Sequence, residues 1–192
     1  MSIVVEFFAA PDDTAAASVL RTGTVRGFAS FTVGNLDPEE ALVAWECLLT
    51  GGGFEDPVGA GEPRVVAEAD HGEHVVLALS PRLAAALTGT EHSRLCEVAV
   101  AWAGQRAAEG AIIDADVARA IVGDPAVLVA GAERRDEGVY CRAGSGDTRR
   151  TGAVAVSARE RGRSCSCSWR GRAGGPRRRT ARPGRGRCGG PG

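Results

Sequence analysis

The feature that most constrains this chain is a change of composition after Cys141. Up to that residue the sequence has 9 Arg against 22 Asp and Glu, a balance of −13. From Arg142 onward, 14 Arg face two acidic residues, a balance of +12. The net charge of −1 therefore conceals two oppositely charged parts. This asymmetry predicts an acidic globular domain at 1–141 and a basic arm at 142–192.

The apolar residues divide at the same place. The segment 142–192 contains no Leu, Ile, Phe, Tyr or Met, and 12 of its 51 residues are Gly. Ordering a residue costs about 1–2 kcal/mol of backbone entropy, and this segment has little to bury in return. We therefore predict a disordered tail. Residues 1–141 are rich in Ala, Val and Leu, and a domain of that size buries roughly two-thirds of its unfolded surface.

Strand and helix patterns alternate irregularly along the predicted domain. Apolar and alternating runs predict strands at 2–8, 28–33, 64–69, 74–80 and 138–141. Capping and proline signals predict helices that start near residues 12, 38, 81, 91 and 115. Gly123-Asp124-Pro125 breaks the last of these, and a further helix runs to about Arg135. These elements predict an α+β fold, with a small mixed sheet packed with four to six helices, followed by a disordered Arg/Gly-rich C-terminal tail.

One stretch of the domain resembles a known family. The run 39–51, Glu-Glu-Ala-Leu-Val-Ala-Trp-Glu-Cys-Leu-Leu-Thr-Gly, with the later helices and the strand Val139-Tyr140-Cys141, is similar to the YfbM-like group of small bacterial proteins. Its members share a Trp-x-x-Leu-Leu-Thr-Gly helix end and close on an aromatic strand. The histidine that many members carry near this motif is absent here, where Cys47 and Leu48 stand. The resemblance covers most of 1–141 and none of the tail, and it implies a fold without an activity.

The densest polar cluster in the domain is Asp70-His71-Gly72-Glu73-His74. His71, Glu73 and His74 are candidate ligands for zinc or another divalent metal, and a metal-dependent hydrolase centred there is one alternative function. A turn between two strands explains the same polarity without a metal. No other His or Cys is placed by the sequence to complete a coordination shell.

Other catalytic patterns are weaker. The glycine run 51–53 follows a predicted helix, where free carbonyls repel phosphate, so it is interpreted as a helix cap. The sequence contains no dinucleotide-binding, Walker or nucleophile-elbow motif, and no cofactor is predicted. Cys47 or Cys96 can be paired on paper with His92 or His74 as nucleophile and base. Both cysteines lie beside the apolar stripes of their helices, which favours inert packing.

The tail carries the second alternative function, a nucleic-acid-associated protein. Fourteen Arg in 142–192 bind polyanions non-specifically by releasing counterions. The candidate contact residues are Arg177, Arg178, Arg179, Arg182, Arg185 and Arg187.

A competing hypothesis concerns the origin of the tail. The sequence contains no Lys, so every basic side chain is Arg, as a GC-rich gene produces. Translating such DNA in a shifted frame yields the Arg, Gly, Ala, Pro, Ser, Cys and Trp found there. Residues from about Arg142 are then a frameshifted extension, and translation of the other frames past codon 141 tests the idea.

Location and function complete the sequence-based predictions. No apolar run approaches the 18 residues of a membrane span. The apolar start carries Glu6 and lacks a basic region before it, so it is predicted to be a strand rather than a signal peptide. The scattered cysteines indicate reduced thiols and a cytoplasmic location. Without a catalytic motif, the leading prediction is a non-enzymatic binding or interaction module that meets a protein or a small ligand.

Overall fold

The structure is a computed structural model that describes residues 3–145 of the chain. Within that range one sheet has the strand order β2-β1-β5-β4-β3, and every neighbouring pair is antiparallel. The predicted α+β class is confirmed, but the sheet is antiparallel throughout and not mixed. The strands are β1 (Ile3–Ala10), β2 (Ser30–Gly34), β3 (Arg64–Ala69), β4 (His74–Ala78) and β5 (Gly138–Ser145).

Helices cover both faces of the sheet. One face is covered by α1 alone, and the other by α2, α4, α5 and α6. No helix in the described range is long and apolar enough to cross a membrane. The helices are α1 (Asp13–Thr22), α2 (Pro38–Thr50), α3 (Glu55–Gly59), α4 (Pro81–Gly89), α5 (His92–Ala108) and α6 (Ala115–Glu133).

Two of these helices, α2 and α5, pack against each other through buried indole rings. The side chain of Asp37 accepts a hydrogen bond from the amide of Glu40 at 3.1 Å, which caps α2 as the sequence predicts. At its other end, Gly51 adopts the left-handed conformation (φ 70°), which suits a residue without Cβ. Trp45 of α2 meets Trp102 of α5 edge to face, with ring centroids 5.6 Å apart. Both indoles are buried and fix the spacing of the two helices.

The predicted break at Gly123-Asp124-Pro125 is wrong, because α6 continues through Pro125 as one helix. A proline inside a helix removes one backbone hydrogen bond and costs about 3 kcal/mol. Here Val122, Ala126 and Val129 are buried on both sides of it in the core against the sheet. Their burial offsets the lost bond, so tertiary packing overrides the local signal.

The folded domain also extends beyond the predicted boundary at Cys141. Strand β5 runs to Ser145 and pairs with β1 over its whole length. Arg142, which the charge count assigned to the tail, lies opposite Glu6 and forms an ion pair with it at 3.0 Å. The tail beyond Ser145, predicted to be disordered, lies outside the described residues.

Candidate functional site

The predicted metal cluster lies at the hairpin between β3 and β4. A 3-10 turn at Asp70–Gly72 joins the strands, and His71 adopts a left-handed conformation (φ 56°). His71 and Glu73 are exposed. The ring of His74 lies directly against Gly144 of β5, where a Cβ atom would collide with Nδ1. These are the features of a polar turn and a packed histidine.

The structure does not bring the three predicted ligands together. Within residues 3–145, no group of three or more His, Cys, Asp or Glu side chains is placed to hold a metal ion. The nearest acid to His74 is Asp70, whose Oδ2 is 3.8 Å from Nε2. The geometry therefore gives no support to a metal-dependent hydrolase at the hairpin. The predicted nucleic-acid residues, Arg177 to Arg187, lie outside the described residues.

The predicted pairs of a cysteine nucleophile with a histidine base differ in whether the two side chains meet. Cys96 and His92 are one turn apart on α5, and Sγ is 3.4 Å from Nε2. Cys47 has no histidine contact; its thiol donates to the carbonyl of Gly53 at 3.4 Å. Cys141 is fully buried, and burial raises the pKa of its thiol to about 12. Of the predicted nucleophile and base pairs, only Cys96 and His92 come into contact in the described range.

A groove of about 480 Å³ runs between α2 and α5. The α2 residues that line the groove follow one another at intervals of four, three and one positions. This spacing places them on one face of the helix. Its other side is the C-terminal half of α5, and the loop after α2 closes one end. The lining residues are Glu40, Ala44, Cys47, Leu48, Gly52, Phe54, Trp102, Gln105, Arg106 and Glu109.

The sequence builds this groove from a small residue, a glycine run and one exposed aromatic ring. Ala44 lies on the side of α2 that faces α5, and its short side chain leaves room between the helices. The chain turns at Gly51, so Phe54 reaches the mouth of the groove. Phe54 remains 60% exposed, which is unusual for so large an apolar side chain. Trp102 is buried and forms the floor.

One end of the groove holds an ion-pair cluster. Arg106 of α5 binds Glu40 of α2 and also binds Glu109, whose Oε2 is 2.7 Å from Nη1. Two carboxylates therefore share one guanidinium, which leaves this end with an excess negative charge. The cluster also ties the start of α2 to the end of α5.

The other end of the groove lies at the C-terminus of α2. A Cβ atom on Gly52 would be 2.8 Å from Oδ2 of Asp56 and 3.0 Å from Nη2 of Arg82, so an acidic and a basic side chain both approach Gly52, although neither lines the groove. Burial, and then the charges of Glu46 and Asp56, raise the pKa of the Cys47 thiol, while Arg82 opposes them. Cys47 is therefore a neutral thiol near pH 7 and not an activated nucleophile.

A buried polar contact holds the helix behind the groove. Glu46 is 4% exposed, and its Oε2 accepts a hydrogen bond from Oγ of Ser80 at 2.5 Å. The same Ser80 oxygen accepts from the amide of Leu83 at 2.9 Å and so caps α4. The pair joins α2 to α4 and is explained as a structural contact.

The chain matches no protein-family model, no curated protein and no solved structure. The groove therefore stands on its own geometry. Sequence reasoning missed it, since a groove between two helices depends on their packing. The signal in the sequence was Phe54, a single aromatic residue between three glycines and two acids.

Proposed function

We propose that this chain is a non-enzymatic binding module and that the α2–α5 groove is its ligand site. The observation that carries the proposal is the groove itself, with the buried Trp102 at its floor, an exposed Phe54 at its mouth and an ion-pair cluster at one end. Small-molecule sites have volumes of about 300–1,000 Å³ and a mostly apolar lining with a few polar groups. The groove has a volume in that range, and polar and apolar groups line it in similar amounts.

The side chains in the groove favour binding over catalysis. A nucleophilic mechanism needs a nucleophile with a base in reach. Cys47 is the thiol in the groove, its pKa is raised, and its hydrogen-bond partner is a backbone carbonyl. The lining residues include no histidine, and Arg106 is held by Glu40 and Glu109.

The proposal includes the reduced, cytoplasmic setting that the cysteines indicate. In the described part of the chain, Cys47, Cys96 and Cys141 form no disulfide bond. The YfbM-like resemblance stays a prediction about the fold and adds nothing on the ligand.

The test is a fragment screen of the full chain by two-dimensional NMR, with the Trp102 indole and the Leu48 amide as reporters. We expect fragments with an aromatic or branched alkyl body to shift both signals. The variant Ala44→Phe fills the groove and should abolish these shifts. The matched control, Ala107→Phe, places the same ring on an exposed part of α5 that does not line the groove. Equal binding by Ala44→Phe and the parent chain would overturn the proposal.

A further inference from the structure

We infer that Cys96 is a reactive thiol, that His92 accepts its proton, and that the sulfur forms mixed disulfides with small disulfide compounds. This site lies on α5 outside the groove, since neither residue is among those that line it. The inference therefore goes beyond the proposed function and does not depend on it.

The side chains of Cys96 and His92 lie together on one face of α5. Residues four positions apart are neighbours on a helix surface, and Sγ of Cys96 is 3.4 Å from Nε2 of His92. A thiol with an imidazole in reach can pass its proton to the ring nitrogen, which leaves a thiolate beside an imidazolium. The thiolate is the nucleophilic form of cysteine. Because Cys96 is partly exposed and His92 is exposed, a small reagent can reach the sulfur.

The position of Cys96 on the helix also favours the thiolate. Helix α5 begins at His92, and helical side chains lean toward the N-terminus, so Sγ lies over the first turn. The amides of that turn carry partial positive charge, which stabilises an anion. Glu91 at the N-cap makes no side-chain hydrogen bond to them, and the first turn contains no acid. Glu97, the acid next to Cys96, is paired with Arg94 at 3.0 Å.

The other two cysteines of the described range lie in different surroundings. The Cys47 thiol donates to the carbonyl of Gly53, and burial and then two neighbouring acids raise its pKa. Cys141 is fully buried, and burial raises its pKa to about 12. Both should be slow to react, so the chain contains its own references for Cys96.

The reaction is a thiol–disulfide exchange. The Cys96 proton passes to Nε2 of His92, and Sγ attacks one sulfur of the small disulfide, whose S–S bond breaks. A new S–S bond joins Cys96 to one half of the reagent. The other half leaves as a thiolate and takes the proton from the imidazolium. The Cys96 sulfur is oxidised and the leaving sulfur is reduced, so an excess of thiol reverses the modification.

The first experiment measures alkylation of the full chain by iodoacetamide, with each cysteine followed by peptide mass spectrometry. Every rate is divided by that of glutathione in the same solvent. We expect Cys96 to react about tenfold faster in the folded chain than in the urea-unfolded chain, whereas folding should slow Cys47 and Cys141. Unfolding gives the reagent its greatest access, so a gain on folding measures activation of the thiol. Oxidised glutathione should then modify Cys96 before the other two.

A variant of the base locates the cause. His92→Gln keeps a polar side chain at this exposed position but removes the base, so the Cys96 rate should fall to that of the unfolded chain. The control His71→Asn removes an exposed histidine from the β3–β4 turn, where Asn suits the left-handed backbone, and should leave the Cys96 rate unchanged. The inference is overturned if folding does not speed the reaction of Cys96, if His92→Gln keeps the gain, or if oxidised glutathione modifies Cys47 first.

Discussion

Phe7 and Phe8 are neighbours in β1, both without exposed surface, and they belong to different cores on opposite faces of the sheet. Phe7 stacks on Phe31 with ring centroids 4.9 Å apart and lies 6.1 Å from Trp45. Phe8 meets the half-buried Phe28 at 5.6 Å and Tyr140 at 5.8 Å. The same side chain therefore fills a large core under four helices and a small one under a single helix.

The smaller core is supplemented by directional contacts. Asp13 at the start of α1 accepts two hydrogen bonds from Arg64 of β3, at 2.8 and 3.1 Å, and one from the Tyr140 hydroxyl of β5 at 3.0 Å. On the same face, Arg142 of β5 binds Glu6 of β1 and donates to the carbonyl of Gly23 at the end of α1, at 3.2 Å. One short helix buries too little to be fixed by area alone, so side-chain geometry fixes it.

The larger core carries the groove because several helices share one face. Helices of different length cannot all pack evenly against each other, and the seam between α2 and α5 stays open where Ala44 is small. On the α1 face no second helix exists in the described range to form such a seam. The candidate binding site therefore belongs to the part of the fold with the most buried area.

Truncating each of the two rings in turn should separate the two cores most clearly. Phe7→Ala should lower the free energy of unfolding by about 4–5 kcal/mol and Phe8→Ala by about 3 kcal/mol, because buried Phe→Ala changes cost about 3–5 kcal/mol. The core around Phe8 includes the half-buried Phe28, which can move into the space. Urea unfolding measures both values. An equal or larger loss for Phe8→Ala would show that the two faces do not differ in this way.

A second change tests the close packing on the α1 face. A Cβ atom on Gly138 would be 2.9 Å from the Tyr140 hydroxyl oxygen and 3.1 Å from two ring carbons, so the ring must move away from Asp13. Gly138→Ala should cost about 2 kcal/mol. The control Gly104→Ala lies in α5 with no atom within 4 Å, and it should stabilise by about 0.5–1 kcal/mol. Thermal unfolding of the two variants should give shifts of opposite sign.

Much of this architecture is predictable from local signals. The caps of α2 and α4 and the β3–β4 hairpin follow from Asp37, Ser80 and the 70–73 turn, and all three are present. Such signals act within a few residues, so tertiary context rarely reverses them. The break at Pro125 was wrong for the opposite reason, since its outcome depends on packing against distant elements.

The candidate site was not predictable in the same way. Its lining comes from α2, α5 and a loop, and no local motif indicates that these surfaces face each other. Charge counting also misplaced Arg142, because a single arginine after Cys141 belongs to the basic tail by composition and to the sheet by its pairing with Glu6. The groove and the position of Arg142 both depend on contacts between residues that are distant in the sequence, and not on residue type.

A third prediction isolates the Tyr140 hydroxyl. Burial, and then the hydrogen bond to Asp13, raise the pKa of Tyr140 to about 12, above the ordinary value near 10. Its contribution to stability is therefore complete below about pH 10 and is lost as the pH rises through 12. Tyr140→Phe should cost about 1 kcal/mol at pH 7 and should weaken the alkaline loss of stability.

Tyr140 is the single tyrosine of the chain, so absorbance near 295 nm follows its ionisation directly. The parent protein should titrate near pH 12, and the urea-unfolded chain near pH 10. Titration of the folded protein near pH 10 would contradict the buried, hydrogen-bonded hydroxyl.

The smallest expected effect tests whether the α1 face behaves as one network. Arg64→Met keeps the alkyl stem but removes the guanidinium from Asp13, with both partners about half exposed. Because the pair is exposed, the cost should be about 0.5–1 kcal/mol. The matched control Arg119→Met breaks the pair with Asp116, which lies within one turn of α6, and should cost less than about 0.5 kcal/mol.

The double variant tests whether the contacts of Asp13 act as one network. Arg64 and Tyr140 both donate to Asp13, so Arg64→Met and Tyr140→Phe should be non-additive by about 0.5 kcal/mol or more. The loss of stability at acid pH should change as well. The hydrogen bond from Arg64 lowers the pKa of Asp13, so the stability that this pair provides is present above about pH 4 and is lost as the pH falls through the lowered pKa. Arg64→Met should reduce that acid loss. Additive costs, together with an unchanged loss of stability at acid pH, would mean that Asp13 does not couple α1 to the sheet. The contrast between the two faces would then rest on their buried area alone.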